Sequence, residues 1–280
     1  MSACKPDSAD FYKEKWCLES CGPKIETPTG MLYPVVRAGS PLMLKIAKRD
    51  SDEQHGFDVL NHYGGRGAVR IFERDGDAFT MQRAVPGMNL VDFRAKSGDA
   101  EATRIAAGVI KTLHSVSGTT KLPDLPQLSI LGSAFAAIPQ TSSPVLAPRL
   151  IEFAKALFER LNASTKNLIV LHGDLHHENM LLDESGGWLA IDPKGFLGDP
   201  VYDCAALFKN PLGDESVSEK ACILSRGQLL ADHLDYPIER ILQWAFVHCA
   251  LSVIWSLQDD VPTGPALPVV LALYDHLQGE

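Results

Sequence analysis

The sequence predicts an α+β protein of two unequal lobes, a small antiparallel β lobe with one helix followed by a larger, mainly helical lobe. Three observations predict it. The first 85 residues hold short strand-like runs bounded by Gly, Pro or Asp, the residues that make turns. After Pro86-Gly87 the apolar residues recur with helical period instead. The 280 residues are 45% apolar and 22% charged, enough core for one two-lobed unit, and they contain no internal repeat or low-complexity tract. The lobe boundary is placed at residues 84/85, giving 1–84 and 85–280.

Each element has its own signal. In the small lobe the strand-like runs are Met31–Arg37, Leu42–Ala47, Ala68–Glu73 and Ala78–Arg83. Gly39-Ser40-Pro41 and Asp75-Gly76-Asp77 suit the turns of hairpins. Phe57, Leu60 and Tyr63 fall at helical spacing within Ser51–Tyr63, between the second and third strands. In the large lobe, Glu101–His114 and Arg149–Leu161 are helical. Lys121–Pro148, with five prolines and little periodicity, reads as a long loop with one helical turn. Ile169–Leu171, Met180–Leu182 and Leu189–Ile191 read as strands, the last two joined by a turn at Glu184-Ser185-Gly186-Gly187. From Val217 the chain is helical again. Glu239–Leu257 is apolar almost all round, so a buried central helix is expected there. Trp188 and Trp255 are expected in the core.

A net charge of −9 argues against a nucleic-acid binder, which needs a basic footprint. Asp199 to Glu280 carries 12 acidic and 4 basic residues. Either this is a solubilising surface or it is a field that attracts a cationic small molecule. No apolar run approaches the ~20 residues that cross a bilayer, and the N-terminus lacks a signal-peptide core, so a cytoplasmic location away from membranes is expected. The six cysteines form no CxxC pair and are too sparse for a disulfide scaffold, which predicts reduced thiols, with Cys17 and Cys21 neighbours on one helix face.

The chemistry concentrates in Leu171–Pro193, LHGDLHHENMLLDESGGWLAIDP. His172, His176 and His177 are candidate zinc ligands. The carboxylate and amide spacing explains more of the stretch: His172, then Asp174-Leu175, then Asn179, and Asp192 thirteen residues later beyond a hairpin. Phosphoryl transfer needs such a layout, with one carboxylate beside the attacking hydroxyl and an amide oxygen plus a second carboxylate facing a metal-bound polyphosphate. On this reading His172 packs below the loop.

The residues His172–Asn179, Ile191-Asp192-Pro193, Gly198-Asp199-Pro200, Tyr202-Asp203 and Gly65–Arg70 resemble the aminoglycoside phosphotransferase family of the protein-kinase-like fold. Within it they are similar to the streptomycin 6-kinase and hydroxyurea phosphotransferase group, over about residues 25 to 260. The resemblance implies a kinase that moves the γ-phosphate of ATP to a hydroxyl of a small, cationic molecule such as streptomycin. Asp174 would be the catalytic base, and Asn179 and Asp192 the Mg²⁺ ligands. Lys45 would meet the ATP phosphates with Glu53 as its ion-pair partner. Gln82, Arg83 and Ala84 would form the hinge that meets adenine. Asp199 and Asp203 are candidate contacts for the cationic acceptor, with helix capping an equal role for Asp199. The chain departs from the wider kinase pattern at Thr27-Pro28-Thr29-Gly30, a phosphate-covering turn with one glycine, and at Asp192, which precedes Pro-Lys. Only seven positions separate Asp192 from Asp199, too few for a peptide-docking activation loop, so a protein substrate is not expected.

Overall fold

Ser8 opens the described chain by capping helix α1 (Ala9–Lys15), its hydroxyl accepting the Phe11 N–H at 3.2 Å. The structure is a computed structural model describing residues 8–48, 55–116, 122–136, 146–184 and 187–279. Six strands follow α1: β1 (Glu19–Ser20), β2 (Ile25–Thr27), β3 (Gly30–Arg37), β4 (Ser40–Ala47), β5 (Ile71–Asp75) and β6 (Ala78–Gln82). They form an antiparallel sheet in the order β1-β3-β4-β6-β5, with β2 on β3. Val35, Leu42, Leu44 and Ala78 alternate onto one face and bury Tyr12 of α1. Helix α2 (Gly56–Tyr63) lies between β4 and β5, turning its Val59, Leu60 and Tyr63 into the main core.

Two expectations shift here. The third strand begins at Ile71 rather than Ala68. Ala68 and Val69 are both buried and leave the sheet to join the large lobe, where the Val69 N–H donates to the Ala190 carbonyl at 3.1 Å and the Ala190 N–H to Gly67 at 2.8 Å. Cys17 and Cys21 do not share a helix, because α1 ends at Lys15. The five described cysteines are all free.

The large lobe starts with β7 (Pro86–Asn89), then α3 (Leu90–Ser97) and α4 (Asp99–His114). A 3₁₀ helix at Leu128–Ala136 stands where a loop with one turn was expected. Pro123 and Pro126 end the irregular part, and Leu128, Leu131 and Phe135 then recur at helical spacing with Leu128 and Phe135 buried. Helix α5 (Pro148–Ala163), β8 (Ile169–Leu171), β9 (Met180–Asp183), β10 (Gly187–Ala190) and β11 (Phe196–Gly198) come next. The strands make two small sheets, β10-β9-β7 and β11-β8. A 3₁₀ helix at Pro200–Lys209 leads to α6 (Lys220–Leu234), α7 (Ile238–Gln258) and α8 (Ala266–Gln278). By length and composition α7 could cross a membrane, against the expectation that no apolar run of the chain approaches that length. In the fold, 67% of its apolar window is buried, and it is the central core helix the sequence predicts.

Candidate active site

Residues 172–179 leave β8 as a loop held from below. Gly173 has φ +82°, and a Cβ there would lie 2.7 Å from the Phe196 ring, so no other residue fits. Asp203, buried on the following 3₁₀ helix, accepts the N–H of His172 at 3.1 Å and of Gly173 at 2.9 Å, and sits 3.0 Å from His114 Nε2. The buried His172 ring accepts the Asp174 N–H at Nδ1 (3.3 Å), so its proton is on Nε2, which donates to the Ile191 carbonyl at 2.8 Å. Burial lowers its pKa, keeping it neutral for that role. The Asn179 side-chain nitrogen donates to the Asp174 carbonyl at 2.9 Å, and the Ile191 N–H donates to the Asn179 carbonyl at 3.0 Å. These bonds set Asn179 beside the residue after Ile191, which is Asp192.

Two lysine–aspartate pairs face the cleft. Lys45 on β4 reaches across the lobes to Asp192, Nζ to Oδ1 2.9 Å, although the two are 147 positions apart. A lysine side chain only 5% exposed needs such a partner, since an unpaired buried ammonium is costly. Asp192 itself is left-handed (φ +52°), a conformation costly for a residue with a Cβ. The second pair is Lys194 Nζ to Asp174 Oδ2, 3.3 Å. Burial would raise the Asp174 carboxyl, but Lys194 and the ring of His176 outweigh it and hold it well below the usual carboxylate range.

Beside the loop opens a cavity of about 810 Å³, lined by Gly173, Lys194 and Tyr202 and by a stripe of α7: His248, Trp255, Gln258 and Asp259. Positions 248, 255 and 259 are seven and four apart, hence on one face of the helix.

The comparisons with known proteins fall on this architecture. The family model described as "Aminoglycoside/hydroxyurea antibiotic resistance kinase" matches residues 15–260. The chain belongs to that family. This kinase is 32% identical to a streptomycin 3''-kinase of Klebsiella pneumoniae over 88% of its own length and 91% of the relative's. It is 28% identical to a streptomycin 6-kinase of Streptomyces griseus, covering 88% of this chain and 81% of that one. The solved structure of the amicoumacin kinase hAmiN in complex with AMP-PNP, Ca2+ and Ami superposes over 98% of this kinase and 93% of that chain, with a TM-score of 0.65 at 13% identity. The fold is thus protein-kinase-like, and the chain is a phosphotransferase.

Of the residues singled out in sequence, the kinase brings Lys45, Asp174, Asn179 and Asp192 to one cleft. Glu53 lies outside the described residues. Gln82, Arg83 and Ala84 form the crossing from β6 to β7. The Gln82 amide donates to Asp183 at 3.2 Å, and Asp183 also accepts the Val85 N–H at 3.0 Å, clamping the crossing to the β9–β10 hairpin. Arg83 reaches Cys21 Sγ at 3.3 Å.

One expectation is corrected, one alternative gains no support, and one expectation is met in part, with Trp255 packed against the core. Asp199 and Asp203 do not face an acceptor. Asp199 is 3% exposed, caps the 3₁₀ helix through the Val201 N–H (3.0 Å), and is held by Arg240 and by Trp244 Nε1 (2.7 Å). Asp203 is 1% exposed and its lone pairs hold the loop. The histidines form no zinc site: among the described residues no three His, Cys, Asp or Glu side chains converge. His177 is buried and neutral, lowered to about 3 by burial and then by Arg226. Trp255 is only half-buried and lines the cavity.

An Mg²⁺ ion does fit the donors present. With Asn179 nitrogen spent on the Asp174 carbonyl, its Oδ1 and the second oxygen of Asp192 form an all-oxygen pair. Mg²⁺ takes one or two protein oxygens and completes its shell with phosphates and water. Lys194 is the residue the sequence reading passed over. Its signal was the Pro-Lys that follows Asp192, noted only as a departure.

Proposed function

We propose that this kinase acts in the cytosol, using ATP and Mg²⁺ to phosphorylate one hydroxyl of a cationic aminoglycoside of the streptomycin type. The reading rests on the family together with one observation: each cleft aspartate is held by one lysine, Asp192 from the opposite lobe and Asp174 from its own. Lys45, with Glu53 as partner, would take the ATP phosphates, and the main chain of Gln82–Ala84 would meet adenine. The N–H groups of Gln82 and Arg83 already point to the Arg70 and Pro41 carbonyls, which leaves Ala84 as the donor of the three. Asn179 and Asp192 would hold Mg²⁺, which when bound neutralises the phosphate oxygens.

Asp174 orients the acceptor hydroxyl and takes its proton as the oxygen bonds to the γ-phosphorus and the bond to the β,γ-bridging oxygen breaks, releasing ADP. A carboxylate with so low a pKa is a weak base, so its service is mainly orientation, in keeping with a loose transition state whose proton leaves late. Lys194 keeps Asp174 ionised and adds positive charge beside the path of the phosphoryl group.

The cavity volume, about 810 Å³, suits a drug-sized acceptor and is oversized for hydroxyurea, the alternative class within the family. A nucleotide-binding scaffold without turnover is disfavoured by the intact lysine, aspartate and asparagine set. The test is purified protein with ATP, Mg²⁺ and streptomycin. One phosphate should be added per molecule, NMR of the product should assign it to the 6 or the 3'' hydroxyl, and KM should rise with salt as screening weakens attraction to carboxylates. Kanamycin-type compounds, which lack guanidinium groups, should be poor acceptors. Phosphorylation of a neutral alcohol but not streptomycin would overturn the antibiotic reading, and no turnover with any acceptor would favour the scaffold.

A further inference from the structure

Helix α7 is mostly apolar and buried, and His248, Trp255 and Asp259, on one face of it, line the cavity. That face runs from His248 beside Tyr202, past Trp255, to Asp259 at the helix C-terminus, about 16 Å at 1.5 Å per residue. The inner end carries an unfinished bond. His248 is 3% exposed, its Nδ1 lies 3.0 Å from the Tyr202 hydroxyl, and its Nε2 is buried with no partner among the described residues. The rings of His172 and His114 have both nitrogens engaged, whereas both nitrogens of His177, like Nε2 of His248, are buried with no partner among the described residues.

The tautomer follows from the partner. Tyr202 is buried, and burial raises its pKa far above normal, so the phenol keeps its proton. Among the described residues that hydroxyl has His248 as its hydrogen-bond partner, and donation to Nδ1 leaves Nε2 as the nitrogen that carries the ring proton. Burial, reinforced by Lys209, lowers the imidazole to about 3, so the ring is neutral and its single proton sits on Nε2. His248 and Gly173 both line the cavity, and Gly173 is one residue from Asp174.

The outer end has the opposite character. Asp259 is exposed, makes no ion pair among the described residues, and caps a 21-residue helix whose carbonyl end is itself partially negative. Trp255 lies between the ends, one helical turn from Asp259.

We propose that His248 and Asp259 are the residues by which this kinase recognises its acceptor: Nε2–H of His248 donates to an acceptor oxygen next to the reacting hydroxyl, and Trp255 with Asp259 takes a guanidinium group at the far end. This deepens the proposed function and rests on it. A polar inner end and an anionic outer end about 16 Å apart select a long, polyhydroxylated cation and set which way it lies.

The experiment compares wild type with His248→Leu, His248→Gln, Tyr202→Phe and Asp259→Asn, using streptomycin as the probe. His248→Leu should raise the streptomycin KM about tenfold, the usual consequence of losing one uncharged hydrogen bond, with the KM for ATP unchanged. His248→Gln, whose amide nitrogen reaches the place of Nε2, should recover most of that loss. Tyr202→Phe should fall between, because it frees the tautomer. Asp259→Asn, on an exposed residue that folding does not need, should raise the streptomycin KM and flatten its dependence on salt. Unchanged streptomycin KM in both folded His248→Leu and Asp259→Asn overturns the proposal. If wild type phosphorylates a neutral alcohol in place of streptomycin, the antibiotic reading and the role of Asp259 fall together. A matching KM rise for that alcohol in His248→Leu would then still support the donor.

Discussion

The aspartates of the large lobe divide into two kinds. Asp99, Asp199 and Asp203 are saturated. Asp99 takes Arg94 at 2.5 Å and Arg226 at 2.6 Å, Asp199 takes Arg240, Trp244 and a main-chain N–H, and Asp203 takes two main-chain N–H groups and His114. Asp174 and Asp192 each have one lysine; partner count rather than exposure sets them apart, since their side chains are 21% and 25% exposed and that of Asp99 is 26%. The same side chain thus serves two purposes. Where every lone pair is filled it fixes the backbone, and where lone pairs remain it can meet a hydroxyl or a metal. Six substitutions and two pH series would break or sharpen that contrast.

The largest effect should come from Asp192→Ala. It removes from the cleft the carboxylate that pairs with buried Lys45, so transfer should fall to background in an ADP-release assay. Asp174→Asn keeps the shape and the partner loop, so kcat should drop by at least ~10²-fold while nucleotide affinity by calorimetry stays near normal. Near-normal turnover in either variant would put the chemistry elsewhere. Lys45→Met comes next, raising the KM for ATP more than that for the acceptor. Equal KM values with wild type would mean that another cation holds the phosphates.

The saturated group predicts the reverse pattern. Asp99→Ala leaves buried Arg226 without its carboxylate, at a cost of about 3–5 kcal/mol. Thermal unfolding should shift down by several degrees while kcat of the folded enzyme is retained, and a kcat loss without a stability loss would contradict the division.

Acid should act through the same residue. Burial opposes ionisation of Asp99, but Arg226 and Arg94 outweigh it and depress its pKa well below the unfolded value near ~3.9. A depressed carboxyl contributes its stability above the unfolded pKa and loses it as pH falls toward the folded one. Unfolding midpoints should therefore decline below about pH 4, less steeply in Asp99→Asn. The smallest effect is kinetic. Because Asp174 is also depressed, kcat/KM should have no acid limb from it near neutrality, whereas Lys194→Met should move that limb upward by removing the charge that lowers it. An unchanged pH profile in Lys194→Met would separate the lysine from the base.

What the sequence determined by itself was local. The interval from His172 to Asn179 and the hairpin before Asp192 place those residues together because few residues, and one antiparallel pair, separate them. The strand alternation of the small lobe and the all-round apolarity of α7 were legible for the same reason, since each repeats within one element. Residues 68–69 and the 3₁₀ helix at 128–136 were misread because their fate depends on contacts outside the segment: Ala190 in one case, and burial of Leu128 and Phe135 in the other. The acidic excess after residue 199 was visible, but a count of carboxylates carries no information about which are buried. Only the packing of α4, α6 and α7 around the 3₁₀ helix decided that Asp199 and Asp203 are satisfied while Asp259 is open. Only the closing of the two lobes joined Lys45 to Asp192. Whether a side chain is saturated or available is set by donors that arrive from distant parts of the chain, and that property belongs to the tertiary structure.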